Sequence, residues 1–206
     1  MHLHESPRIK EGLQQLISND RVFMSYPWDL SKWGWETYPS GFEGICRIIL
    51  SQQISTKAAE SLWHRFCKNI QPLTASEITG LCEEKIRLIG LSHQKFLYIH
   101  NLALHIQTGK LNFSKLNKMN EENIVRELTG YKGLGLWSAR MYLIFCLQRS
   151  DVWLAEDLGI RKGLQIYLGR DERPDISEVQ KAGEAFQPYR TAACLMLWKM
   201  ASGKNK

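Results

Sequence analysis

Apolar residues recur at helical spacing through nearly the whole chain. Leu13, Leu16 and Ile17 share one face of a first segment, which Tyr26–Pro27–Trp28 interrupts. An aromatic loop follows, with Trp28, Trp33, Trp35 and Tyr38. Ser40 with Glu43 three residues on has the form of a capping box, opening a helix that carries Ile45, Ile48, Ile49 and Leu50. Gln52 and Gln53 break that run, and Ala58, Ala59, Leu62, Trp63 and Phe66 resume it. Thr74 with Glu77 is a second capping box, predicting a helix through Leu81, Ile86 and Ile89 that stops at Gly90. Further helices are predicted from about Ser92 to Gln107, ending at Gly109, and from Asn120 through Ile124, Val125 and Leu128. After a glycine-rich break, Leu136 to Leu147 is apolar and helical. Asp151 to Asp157 reads as extended or loop-like, Leu158 to Leu168 as helix, Arg170 to Pro174 as a turn, and Ile176 to Phe186 as helix. A last helix, Tyr189 to Met200, follows Pro188. No stretch alternates long enough to be a strand, so the expected fold class is all-α.

Composition narrows this picture. The 206 residues are 44% hydrophobic and 23% charged, as in an ordinary globular protein with a real core. Lysine and arginine exceed aspartate and glutamate by 27 to 21, a net charge of +6, which mildly favours a polyanionic partner and equally suits a plain solvated surface. Cys46, Cys67, Cys82, Cys146 and Cys194 form no C-x-x-C pair. Such a scattered, odd set argues against a disulfide scaffold, a zinc site or an iron–sulfur cluster. The first twelve residues lack an apolar core and no apolar run reaches membrane-spanning length. A reducing compartment is therefore expected, cytoplasmic in a bacterium or nuclear in a eukaryote, with no membrane partner.

The segment richest in chemistry is Leu128 to Ala139, where Gly130, Gly133 and Gly135 separate two apolar helices. Such a turn presents unpaired amides at a helix N-terminus, and these with the helix dipole bind phosphate. Glycine is needed where a Cβ would bar close approach, and the contact carries no base information, which suits DNA of any sequence. Alone, the same spacing also fits a simple helix–helix turn. One apolar helix later, Asp151 to Gly163 contains the adjacent acids Glu156 and Asp157.

Together these blocks resemble the helix–hairpin–helix (HhH-GPD) DNA glycosylase superfamily, and most closely its 3-methyladenine DNA glycosylase II branch. The resemblance rests on Ile48 to Ser55 with Ala58 and Ala59, on Gly90 to Lys95, on Leu128 to Ala139, on Asp151 to Gly163 and on Pro188 to Trp198, in that order along the chain. It implies a two-lobed helical fold with the active site in the cleft between lobes. One lobe would be residues 38–149, the other residues 1–37 joined to 150–206. It also implies a monofunctional enzyme that excises alkylated purines, 3-methyladenine and 7-methylguanine, from duplex DNA. A monomer is expected, since nothing in the sequence suggests a self-complementary interface.

The resemblance assigns roles residue by residue. Asp157 takes the place of the catalytic carboxylate, which would stabilise positive charge at C1′ and help orient or deprotonate water. As a residue type it also suits a helix N-cap before Leu158. Trp137 stands where lyase-competent relatives carry a Schiff-base lysine, implying hydrolysis by water. Trp137 and Trp198 match aromatic positions of the base pocket, where indole faces attract cationic alkylpurines, although Trp198 also suits a core. Gln53 matches the residue that fills the gap left by an extruded base, and Leu91 or His93 would supply the wedge. Lys132, Gly133 and Gly135 would contact phosphate. The carbonyls of Thr129, Tyr131 and Leu134 would hold a sodium or potassium ion, with no other cofactor required. Relatives commonly have proline where this chain has Lys132, a change that softens the turn and adds a charge. Ser55 also lies where relatives vary, which bears on lesion preference. The tryptophans from Trp28 to Trp35 match no motif and read as packing between lobes. Rival readings are a glycosylase for hypoxanthine or a mismatched base, a lesion-binding DNA module without catalysis, and a helical scaffold with no salt-dependent DNA affinity.

Overall fold

A computed structural model describes residues 1–203. The helices are α1 (Pro7–Asn19), α2 (Arg21–Ser25), α3 (Phe42–Ser51), α4 (Thr56–Asn69), α5 (Ala75–Thr79), α6 (Glu83–Ile89), α7 (His93–Gln107), α8 (Phe113–Leu116), α9 (Glu121–Thr129), α10 (Leu136–Phe145), α11 (Leu158–Tyr167), α12 (Ile176–Ala182) and α13 (Arg190–Ser202). Short 3-10 turns cover Leu3–Glu5, Leu30–Lys32 and Gly183–Phe186. Among the described residues the β-type pairing is an isolated bridge between His2 and Glu36, so the fold is all-α. No described helix is long and apolar enough to cross a membrane.

The chain divides into two compact units, Tyr38–Tyr142 and a second made of Met1–Thr37 with the segment from Leu143 onward. The continuous unit thus ends inside α10, short of residue 149. Its core holds Ile45, Ile48, Ile49, Phe66, Ile99, Ile124 and Tyr142. The expected N-cap at Ser40 is displaced by one residue: Gly41 caps α3, at φ 112°, and gives its amide to the Tyr142 hydroxyl at 2.8 Å. A side chain at Ser40 cannot replace that geometry, because the positive φ favours glycine. Thr74 does cap, accepting from the Glu77 amide. The helix behind it stops at Thr79, because Gly80 is a poor helix former, and α6 begins anew at Glu83.

In the discontinuous unit, α13 is the central helix. Thr191 to Leu197 are all buried, and α1 and α11 pack on it. Close crossings need glycine: a Cβ on Gly163 would lie 2.1 Å from the Leu197 carbonyl oxygen, and one on Gly12 3.0 Å from Ala192 Cβ. The segment expected as one helix from Ile176 to Phe186 is α12 followed by a 3-10 turn. The turn begins at Gly183, whose missing Cβ makes room for the Trp153 indole. Trp28, Trp33 and Trp35, expected at the packing between lobes, also build the core of this unit. Among the described residues, Trp33 is buried and its ring meets Trp28 at 5.8 Å and Trp35 at 5.3 Å. An indole run beside the N-terminal segment serves the nearest core, and no sequence signal distinguished that core from a more distant one.

Candidate active site and nucleic-acid interface

Asp157 is both a helix cap and a member of a polar pair. Its Oδ1 accepts from the Ile160 amide at 3.0 Å and from the Trp198 indole Nε1 at 2.9 Å. The carboxylate therefore sits at the N-terminus of α11, where the helix dipole favours negative charge. Gly159 permits this approach: a Cβ there would lie 2.8 Å from Trp198 Cδ1 and 3.0 Å from Asp157 Oδ1. The Trp198 ring neighbours Phe145 at 6.1 Å and Trp35 at 6.2 Å.

The segment before Asp157 is anchored rather than loose. Val152 to Ala155 are buried. Arg190 clasps Asp151 through Nε and a second nitrogen at 2.7 and 2.8 Å, a two-pronged arrangement that fixes orientation. Thr191 accepts from the Val152 amide and donates to the Arg149 carbonyl. Helix α13 thus holds the acidic segment at both ends, through Arg190 and Trp198. Glu156, the other acid of the pair, is half-buried beside it.

In the other unit, the hairpin between α9 and α10 is a tight turn. Gly133 lies at φ 92°, and a Cβ there would overlap the Tyr98 phenol ring at Cγ and Cδ2. The amides of Gly133 and Gly135 donate to no protein acceptor among the described residues, and the space beside the Gly135 Cα is open. Lys132 is exposed. These are the features a phosphate oxygen requires. The Leu134 amide donates to the Tyr131 carbonyl at 3.0 Å, while the carbonyls of Thr129 and Leu134 take no backbone donor among the described residues. A set of neutral carbonyl oxygens fits a hard monovalent cation, and Tyr131 keeps a second lone pair for it. Burial, with the bond to Glu127, pushes the Tyr131 phenol up to about 12, so it stays a donor.

Gln53 and His93 are exposed, Gln53 in the left-handed region at φ 57°. Leu91 is not available as a wedge in this conformation. It is 7% exposed and closes the turn after α6, its amide donating to Ile86 while Gly90 takes φ 74°. Gln53, Gly90, Ser92, Lys95, the hairpin and Trp137 together line an open concavity of about 1010 Å³. Trp137 and Trp198 belong to different units.

Three positioning residues escaped the sequence reading. Gln52 binds the hairpin directly, Tyr98 packs under Gly133, and Gly159 makes room for the Asp157–Trp198 contact. Each is a contact between distant segments or a steric allowance, for which spacing gives no signal. Gly133→Ala is expected to destabilise the chain by about 2 kcal/mol through overpacking and strain. Thermal unfolding of Gly133→Ala, Tyr98→Ala and the double variant checks this: relief of the overlap makes the double loss smaller than the sum.

Comparison with known proteins fits this geometry. The family model described as HhH-GPD superfamily base excision DNA repair protein matches residues 46–188. DNA-3-methyladenine glycosylase 1 of Schizosaccharomyces pombe is 34% identical over 162 residues, covering 77% of this chain and 71% of that protein. The DNA-3-methyladenine glycosylase of Saccharomyces cerevisiae is 31% identical over 200 residues, covering 78% and 67%. Among solved structures, the S. pombe 3-methyladenine DNA glycosylase in complex with abasic DNA superposes with a TM-score of 0.80 at 29% identity, over 92% of this chain and 95% of that one. On the matched length and these identities, the chain belongs to the HhH-GPD superfamily of base excision DNA repair proteins.

Proposed function

We propose that this protein is a monomeric, monofunctional DNA glycosylase that hydrolyses the N-glycosidic bond of alkylated purines, 3-methyladenine and 7-methylguanine, in duplex DNA. The observation that carries the reading is the Asp157 carboxylate, pinned by a helix amide and the Trp198 indole at one end of an anchored segment. Pure phosphate binding needs no carboxylate there. The lesion class is supported by the names of the relatives above and by the aromatic ring beside that carboxylate.

The chemistry balances without an acid catalyst. An alkylated purine is already cationic. When the C1′–N bond breaks, its electron pair goes to the base, which leaves neutral. Positive charge passes to the sugar, where a fixed carboxylate stabilises it. Water then forms the C1′–O bond, and Asp157 accepts or directs the proton released. Trp198 holds Asp157 and offers an indole face to the cationic ring. Extruding the base costs a few kcal/mol. Gln53, already exposed in a strained backbone conformation, fills the gap, and His93 is the exposed candidate for the wedge. Lys132 and the amides of Gly133 and Gly135 bind phosphate, aided by a sodium or potassium ion at Thr129, Tyr131 and Leu134. With Trp137 in place of a nucleophilic lysine, no imine forms at that position.

Bases released from methylated duplex and resolved by chromatography test the reading. Methylated purines are expected, the strand staying intact until alkali, and borohydride trapping no protein–DNA adduct. No release from methylated duplex, with hypoxanthine released from a duplex carrying deoxyinosine, would move the assignment to another lesion. Trp198→Phe keeps an aromatic face but removes the donor to Asp157, and single-turnover release is expected to slow by roughly tenfold. An unchanged rate would show that this hydrogen bond is idle. Replacing potassium and sodium by tetramethylammonium at constant ionic strength is expected to weaken duplex binding severalfold, measured by anisotropy; equal affinity would remove the cation from the account.

A further inference from the structure

Gln52 ends the apolar run of α3, and its side chain leaves that helix for the hairpin 81 residues away. Its Nε2 lies 2.8 Å from the Gly133 carbonyl oxygen and 2.8 Å from the Ser138 hydroxyl. A carbonyl can only accept, so the group facing Gly133 must be the amide NH₂, and both its hydrogens are used. We infer that Gln52 is the positioning residue of the anion-binding hairpin, aiming the Gly133 turn at phosphate and coupling it to the loop that carries Gln53.

The peptide between Gly133 and Leu134 is held at both ends. Its oxygen accepts from Gln52 and its N–H donates to the Tyr131 carbonyl. With that plane fixed and the Gly133 Cα pressed on the Tyr98 ring, the Gly133 amide is left facing no protein acceptor. Ser138, 2% exposed, lies in the first turn of α10, so the same amide group spans the turn and the helix start behind it. The other end of the clamp is fixed too. Lys95 donates to the Leu50 carbonyl at 2.6 Å, in the last turn of α3, and burial holds its pKa below the ordinary lysine value. Gln53 follows at once, at φ 57°. A non-glycine residue keeps such a conformation only where its surroundings over-determine it, and Gln52 and Lys95 supply that constraint. Gln52 touches no DNA in this account. It acts through Gly133, and the inference rests on the proposed DNA-binding reading.

The test is the salt dependence of binding to undamaged duplex, which needs no base release. Each phosphate neutralised by a lysine, an arginine or a bound cation contributes about 0.9 to the slope of log K against log salt, and the Gly133 turn carries the exposed Lys132 beside its neutral amides. Gln52→Met keeps the volume and removes both donors. It is expected to weaken binding about tenfold at moderate salt and to lower the slope by about one contact. Ser138→Ala removes one acceptor and leaves the Gly133 bond, so a smaller loss with the wild-type slope is expected; it also serves if Gln52→Met unfolds. A Gln52→Met variant that binds more weakly with an unchanged slope, or a Ser138→Ala variant that loses the contact fully, overturns the inference, leaving Gln52 as ordinary packing. If the wild-type chain shows no salt-dependent duplex affinity, the DNA-binding reading fails first and takes this inference with it.

Discussion

Asp157→Asn is expected to bind methylated duplex much as the wild type does and to release base at least about 10²-fold to 10³-fold more slowly in a single turnover. The substitution keeps the side-chain oxygen that caps α11 and accepts from Trp198, since an amide oxygen fits both roles. What it removes is the negative charge, so the fold is preserved while the sugar cation loses its counter-charge. Single-turnover kinetics beside a duplex-binding isotherm separates the two quantities. An unchanged rate with intact binding would mean that Asp157 is a helix cap and nothing more.

Gly163→Ala is expected to be the most damaging small change in the discontinuous unit. A Cβ there meets backbone on the facing helix, 2.1 Å from the Leu197 oxygen and 2.5 Å from its carbonyl carbon, with no side chain free to swing aside. Helices α11 and α13 must move apart or the chain must bend. We expect a loss of about 3 kcal/mol, hence roughly 6–12 °C in Tm for a chain of this size. The consequence is also functional. Asp157 heads α11 and Trp198 rides on α13, so separating the helices stretches their 2.9 Å hydrogen bond. Base release should fall even in the fraction that remains folded at low temperature. Thermal unfolding followed by single-turnover assay below the transition checks both parts; a Tm within 2 °C of wild type would show that the crossing is looser than the backbone contact implies.

Helical content was legible from period alone, because amphipathic faces repeat along the chain and Gly90 and Gly109 mark stops that the structure also uses. Starts were less legible. Ser40 and Glu43 carry the form of a capping box, yet Gly41 caps α3 because Tyr142, a hundred residues on, takes its amide. The wedge candidates show the same limit. Leu91 and His93 are two residues apart, and only the turn after α6 decides that Leu91 faces inward. Asp157 stood out through its motif, whereas the hydrogen bond to Trp198 joins positions 41 apart and depends on a missing Cβ at Gly159. Gln52 and Gln53 look alike in the sequence. One turns to the hairpin and the other to solvent because the backbone changes hand between them.

The most direct test of the central claim is single-turnover base release from a defined duplex carrying one 7-methylguanine or one 3-methyladenine, with enzyme in excess. Free methylated base should appear with first-order kinetics, leaving an abasic site in an unbroken strand. Tight, salt-dependent binding of that duplex with no base released would contradict the account and leave a lesion-binding module in its place.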